Sequence, residues 1–397
     1  GGGGSLCSDA GHGGNIYRLA EELNMHERKI IDFSASINPL GVPRSVISEI
    51  RNNAKNLFNY PDPDATELRQ SLSEYHRISP ESIICGNGST ELIYLIARTL
   101  RPKKVLIPAP TFSEYERAIT LLQSAEDRKQ KTAPPTHPSP SRGEGKGGGE
   151  DPGSVPCALD SNYIKYLMLD KEKGFEIDPD AFIYAMRGCD MAFICNPNNP
   201  TGRLLKKDSV LQITGAARDS KCILVVDEAF IDFCPEDSVI KEVQNNPHLI
   251  VLRSMTKFYA LSGLRLGYGV FPPHLTGRLK EYKEPWTVNN LAQSAAVEAL
   301  KDKVYRNETF TIIRHEKRFM EDGFKKLGID YISSSVNYYL IRLDNAEEVI
   351  TSLRNKGILV RNCSNFRGLD ESYIRVAVKS RRDNARLLKE LSLWLKA

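Results

Sequence analysis

Short apolar runs at residues 105–107, 191–195, 223–226, 249–252 and 266–270 recur along the chain, with stretches of helical period such as 90–100 and 207–218 between them. A strand with one wet face alternates polar and apolar residues, whereas a strand that is apolar throughout must be covered on both faces. Such strands, separated by helices, predict an α/β architecture with a mainly parallel sheet in a large domain. Each run is bounded by Pro, Asn, Gly or charged residues, as strand ends are. Beyond about residue 290 the pattern changes to a long helical stretch, strands at 338–343 and 373–378, and a final helix carrying Leu387, Leu388, Leu391, Trp394 and Leu395 on one face. That change predicts a second, smaller α+β domain.

Composition enters as a limit on function. With 397 residues, 26% charged and 41% in the apolar set, the chain can bury a large and a small core. Between residues 131 and 156, however, 26 positions hold 6 Pro and 6 Gly. Nothing there can bury a face, so the region from about 124 to 160 reads as a disordered surface insertion without function, and the leading Gly tract reads alike. A net charge of +4 spread over this length forms no basic stripe, so nucleic acid is not an expected partner. No apolar stretch approaches the roughly 20 residues that span a bilayer, and the start lacks a charged and then apolar leader. Neither a membrane nor export is expected. The eight cysteines, at 7, 85, 157, 189, 195, 222, 234 and 363, include no C-x-x-C or Cys/His ligand spacing. No metal site is therefore expected, and thiols inside apolar runs such as K-C-I-L-V-V around Cys222 suit a cytoplasmic protein.

In a parallel sheet, ligands gather at the carboxyl ends of the strands. The run at 191–195 is followed by N-P-N-N-P-T-G, the run at 223–226 by D-E-A-F, and the run at 249–252 by R-S-M-T-K-F-Y-A-L-S-G-L-R-L-G. Upstream, C-G-N-G-S-T at 85–90 opens a helical stretch, a place where free backbone amides attract a phosphate. No G-x-G-x-x-G follows the first strand, which disfavours a dinucleotide-binding dehydrogenase.

Taken together, in this order and spacing, these motifs resemble those of the fold-type-I, pyridoxal-phosphate-dependent enzymes of the aspartate-aminotransferase superfamily, over nearly the whole chain apart from the insertion. The resemblance implies a division into residues 1–45, joining the small domain, 46–285, the large cofactor-binding domain, and 286–397, the small C-terminal domain. It implies that Lys257 forms the Schiff base with pyridoxal 5'-phosphate, that Asp227 faces the pyridine nitrogen, and that Asn199 donates to the ring's phenolic oxygen. A carboxylate on the ring nitrogen keeps the ring protonated and able to take up charge, and Arg265 nearby would depress the lysine pKa. Ser89, Thr90, Ser254, Thr256 and Arg265 would hold the phosphate, and Phe112 would stack on the ring. Tyr60, in N-Y-P-D-P, matches a tyrosine that reaches the neighbouring subunit's cofactor phosphate, which implies a homodimer.

Within the superfamily the sequence is similar to the histidinol-phosphate aminotransferase branch, and more narrowly to the threonine-phosphate decarboxylases of cobalamin biosynthesis. The narrower match rests on H-G-G-N at 12–15, D-F-S-A-S-I-N-P-L-G at 32–41, D-E-A-F-I-D-F at 227–233, T-K-F-Y-A at 256–260, N-F-R-G-L at 365–369 and Y-I-R-V-A-V-K-S-R at 373–381. The aminotransferase branch usually carries Tyr where Phe230 stands and lacks the H-G-G-N start. The resemblance implies a small phosphorylated amino acid as substrate, held by Arg361, Arg375, Asn199, His12, the Gly13 amide at a helix start, and Ser36, where the family has Asn. Two arginine forks suit a substrate with a carboxylate and a phosphate. Composition and spacing leave decarboxylation and amino transfer open, because the reaction depends on which Cα bond stands perpendicular to the cofactor ring.

Overall fold

The computed structural model describes residues 12–132, 157–158 and 163–395. After a short β1 (Ile31–Asp32), eight strands form one sheet: β2 (Ile83–Gly86), β3 (Val105–Ala109), β4 (Cys157–Ala158), β5 (Ile164–Met168), β6 (Met191–Cys195), β7 (Ile223–Asp227), β8 (Leu249–Ser254) and β9 (Gly267–Val270). Their spatial order is β2-β9-β8-β7-β6-β3-β5-β4. The stretch from β8 to β5 is parallel throughout, while β9 runs antiparallel to both of its neighbours and β4 antiparallel to β5.

Successive residues of a strand point to opposite faces, and the apolar runs feed two cores accordingly. Ala192, Ile194, Leu224, Val226, Leu249 and Val251 join one cluster with Leu68, Leu72, Val210 and Ile213 from covering helices. Phe193, Val225, Ile250 and Leu252 join the other with Leu92, Ile96, Ile119 and Leu275. Both faces are dry, which is why the runs are apolar without alternation. A void at Phe193, which is fully buried, would cost about 3–5 kcal/mol.

The remaining strands, β10 (Asp330–Tyr331), β11 (Tyr338–Arg342), β12 (Ile358–Leu359), β13 (Arg361–Asn362) and β14 (Tyr373–Ala377), build a smaller assembly. Four of them form an antiparallel sheet in the order β10-β11-β14-β13. The helices Lys303–Leu327 and Arg381–Leu395 contribute Met320, Phe324, Leu387 and Leu391 to its core. β1 pairs in parallel with β12, and the amide of Ala377 donates to the Phe33 carbonyl at 2.9 Å, so the N-terminal segment is stitched to this sheet.

Some expectations about elements change. The strands Ile83–Gly86 and Ile164–Met168 were not among the expected runs, and residues 267–270 run against the sheet rather than with it. Helix Glu114–Thr132 continues into the stretch read as insertion from about 124, because S-A-E-D-R-K-Q-K at 124–131 is mostly strong helix formers. Residues 133–156, the Pro- and Gly-rich part, lie outside the described residues, as does the Gly tract.

Candidate active site

Because β9 is antiparallel to both β2 and β8, the carboxyl ends of β2, β3, β6, β7 and β8 open on the same edge of the sheet. Register then fixes neighbours: Gly267 lies opposite both Gly86 and Ser254, and Asp227 lies between Cys195 and Leu252. The motifs after the apolar runs therefore meet.

One end of this edge is a cup of donors. Helix Gly88–Leu100 begins two residues after β2, leaving the first-turn amides of Ser89 and Thr90 without helical partners. A Cβ at Gly267 would sit 2.3 Å from the Ser89 nitrogen, and one at Gly88 would sit 2.5 Å from Arg265 Nη2. Only glycine at both places lets β9 and the Arg265 guanidinium close on the helix start. Arg265 itself has φ +58, a left-handed conformation that a non-glycine residue keeps only under constraint. Ser254 Oγ and Thr256 Oγ1 are 2.8 Å apart, and the Thr256 amide donates to Ser254 Oγ at 3.2 Å. A helix start, hydroxyls and a guanidinium match the donor set that the phosphate of pyridoxal 5'-phosphate requires.

Lys257 and Asp227 stand beyond the cup. Asp227 is 2% exposed, and burial pushes its carboxyl up to about 6, opposed by the Tyr115 hydroxyl, the Ala229 amide and Lys257. Tyr115, buried and stacked on Phe193 at 4.8 Å, donates to Asp227 Oδ2 at 2.5 Å, and the Ala229 amide donates to Oδ1 at 3.1 Å. Burial, then Arg265 and Arg375, brings the Lys257 amine down to about 8, with Asp227 acting the other way. Its Nζ lies 3.2 Å from Thr256 Oγ1. An amine titrating this close to neutrality can both attack a carbonyl and carry a proton. Glu228, on the opposite face of β7, lies 3.5 Å from Arg253, which also reaches Asp232 at 2.7 Å, so a buried ionic cluster braces the strand ends from behind.

The smaller sheet supplies the facing wall. Arg361 and Arg375 are each 5% exposed and are direct cross-strand partners between β13 and β14. Like charges placed opposite one another in a sheet repel, so this arrangement calls for an anion. Arg375 donates to Asn199 Oδ1 at 2.5 Å and to the Ser34 carbonyl at 2.7 Å, both neutral acceptors, while its buried Nε has no hydrogen-bond partner among the described residues. Asn198, which precedes Asn199 in N-P-N-N-P, is structural: its side chain bonds the Pro110 carbonyl and Thr201, and the Tyr338 hydroxyl donates to its carbonyl at 2.7 Å. The discriminating Phe230 is buried edge-on against the Tyr338 ring at 5.0 Å.

The H-G-G-N segment also lies here, and its Asn15 caps the helix that follows, accepting from the Arg18 amide at 3.2 Å. The helix Ile16–Glu22 begins after Asn15 and spans only seven residues, so the Gly13 amide precedes it and gains nothing from its dipole. The glycines instead seat the chain on the Ser34 region: a Cβ at Gly13 would lie 2.6 Å from the Ser34 carbonyl, and the Gly14 amide donates to Ser34 Oγ at 2.8 Å. His12 packs on Phe112, ring centroids 5.3 Å apart, and its Nε2 bonds Glu114. Ser36 is buried, and its hydroxyl has no partner among the described residues. Tyr60 is 82% exposed, stacked at 5.1 Å against Trp286.

Glu114 and Tyr115 are the residues sequence reasoning missed. The available signal was their place one residue beyond A-P-T-F, in the segment that leaves the carboxyl end of β3.

This fold and edge define the chain's class: it belongs to the aminotransferase class I and II family, whose model matches residues 28–128 and 157–391, and its cofactor is pyridoxal 5'-phosphate. Among relatives, the threonine-phosphate decarboxylase of Salmonella typhimurium is 35% identical over 388 residues, covering 96% of each chain. Among solved structures, the histidinol-phosphate aminotransferase from Clostridium acetobutylicum superposes with TM-score 0.78 at 30% identity, covering 92% of this chain and 99% of its own. L-threonine-O-3-phosphate decarboxylase from Porphyromonas gingivalis superposes with TM-score 0.73 at 26% identity, covering 93% and 100%.

Proposed function

We propose that this protein decarboxylates L-threonine O-3-phosphate to (R)-1-amino-2-propanol O-2-phosphate, for cobalamin biosynthesis. The observation that carries the reading is the buried cross-strand pair Arg361 and Arg375, with Arg375 bound to the carbonyl of Ser34, on which Gly13 and Gly14 seat the His12 segment, in a site whose cofactor cup already has its own cation in Arg265. A substrate with two anionic groups needs that second set of cations. Sequence similarity to decarboxylases over 96% of the chain supports the same reading.

When bound, pyridoxal 5'-phosphate takes up the electron pair left on Cα as the bond to the carboxylate breaks. The chain's residues do the rest. Arg375, fixed by Asn199 and Ser34, and Arg361 beside it would grip the substrate's anions and orient its carboxylate for release as CO2. Lys257, lowered toward neutrality, would return one proton to Cα. Asp227, held by Tyr115 and Ala229, would keep its charge against the ring nitrogen. Gly13 and Ser36, with His12, would complete the substrate pocket, and Phe112 would cover the ring.

CO2 release from threonine phosphate by purified protein, measured against amino transfer from histidinol phosphate to a keto acid, tests this. Transfer without CO2 overturns the reading and supports the second one, a histidinol-phosphate aminotransferase, which the Clostridium structure favours. We further infer a homodimer in which Tyr60 reaches the partner's cofactor; Leu57, Phe58, Tyr60 and Trp286 leave an exposed apolar surface there. A mass of one chain by light scattering would refute it. A cytoplasmic location fits the six buried thiols among the described residues. Among those residues no helix is long and apolar enough to cross a membrane.

A further inference from the structure

Glu114 opens helix Glu114–Thr132, is 4% exposed, and belongs to none of the roles assigned so far. Burying a carboxylate is costly unless it is paired and hydrogen-bonded. Its two oxygens are divided between side chains from other segments: Oε1 meets His12 Nε2, and Oε2 accepts from the Tyr94 hydroxyl of helix Gly88–Leu100. Arg117 Nη1 stands 3.7 Å from Oε1. The His12 hydrogen bond, then that of Tyr94, and finally the charges of His12 and Arg117, hold the Glu114 carboxyl below its usual range despite burial. A carboxylate serving only to cap its own helix would use the first-turn amides.

The imidazole is thereby fixed at two places. Phe112 lies against its ring and Glu114 holds Nε2, while half of the side chain stays exposed and Nδ1 has no hydrogen-bond partner among the described residues. The backbone beneath is seated by Gly13 and Gly14 on Ser34, whose carbonyl also receives Arg375. With Nε2 engaged by Glu114, Nδ1 is the ring nitrogen left to hydrogen-bond a phosphate oxygen of the substrate.

We propose that Glu114 is a positioning residue: it orients His12 to receive the phosphate of the substrate, and through it selects phosphorylated substrates. The proposal rests on the decarboxylase reading for the identity of that phosphate. Two consequences follow from the geometry. Removing the Glu114 charge should weaken substrate binding more than turnover, and it should matter only while His12 is present.

The test uses holoenzyme of the wild type, Glu114→Gln, His12→Ala and the double variant, with threonine phosphate as substrate and inorganic phosphate as competing ion. Glu114→Gln should raise KM, and the phosphate inhibition constant, by about 10-fold, with kcat changed less than about threefold and the cofactor's visible absorbance unaltered. In the His12→Ala background the same substitution should raise KM no further. Equal losses in both backgrounds, or a fall in kcat and absorbance with KM unchanged, would overturn the proposal. If the wild type releases no CO2 but phosphate still binds more weakly to Glu114→Gln, the decarboxylase reading fails while the role of Glu114 stands. Normal CO2 release with unchanged KM and phosphate inhibition in Glu114→Gln sinks the proposal alone.

Discussion

On the cofactor side, Asp227, Ser254 and Thr256 are each at most 4% exposed and come from the ends of two neighbouring parallel strands. On the substrate side, His12, Asn199, Arg361 and Arg375 come from four separate segments, two of them strands of the smaller sheet. The first group is placed by hydrogen-bonded register, which every residue of β7 and β8 helps to hold. The second is joined across segments by a few side-chain contacts, Arg375 to Asn199 and Ser34, and His12 to Glu114 and Phe112. A site built in this way can keep its cofactor chemistry while the substrate wall changes, which is how one family spans decarboxylases and aminotransferases.

Substitutions can break the comparison at either side, and the largest effect should come from the cofactor side. Lys257→Ala removes the amine proposed to bind the cofactor covalently and to return the proton, so turnover should fall by about 10³-fold or more. Borohydride should then no longer fix the cofactor to the chain; retained fixation would disprove the assignment.

Next in size is Arg375→Lys. A lysine cannot serve Asn199, Ser34 and a substrate anion at once, so kcat/KM should drop about 10²-fold while cofactor absorbance stays normal. A loss of cofactor instead would show that the two sides are not separable.

Smaller is the effect of Tyr115→Phe, which deletes a hydrogen bond to the charged form of Asp227. The carboxyl already titrates near 6, above its ordinary 3.8. Two opposite pH trends follow in cofactor-free protein. Between these values the folded chain binds more protons than the unfolded one, so stability falls as pH rises from about 4 to about 6. Cofactor affinity moves the other way, weakening as pH falls through about 6 and the ring nitrogen loses its counter-charge. Tyr115→Phe should shift that loss upward by about one pH unit, measured as the cofactor dissociation constant against pH. An unshifted profile would mean that the tyrosine does not tune Asp227.

Least of all should come from replacing residues 133–156, whose sequence reads as an insertion without function, with a short Gly-Ser linker: kcat and KM should stay within about twofold. A larger change would give that segment a function.

Sequence reasoning reached the cofactor side better than the substrate side, for reasons visible in particular residues. Asp227 directly follows one apolar run and Lys257 lies five residues past another, so the rule about carboxyl ends of strands drew attention to both motifs, while their roles came from the family resemblance. Arg361 and Arg375 were reached only through family resemblance, since nothing near either one says that they sit opposite each other. Gly13 was assigned to a helix start that the short Ile16–Glu22 helix does not provide. Glu114 and Tyr115, two adjacent residues at a helix start, gave no sign that one serves His12 and the other Asp227.

What the sequence determined by itself is a parallel sheet with two dry faces and an edge carrying polar motifs, because burial on both sides demands unbroken apolar runs and loops hold what strands cannot. What the tertiary structure decided is which of those motifs touch: the β9 reversal that aligns Gly86, Ser254 and Gly267, the Arg361–Arg375 pairing, and the contacts of Tyr115 with Asp227 and Glu114 with His12. Those depend on strand order and register across long stretches of chain, and local composition is blind to both.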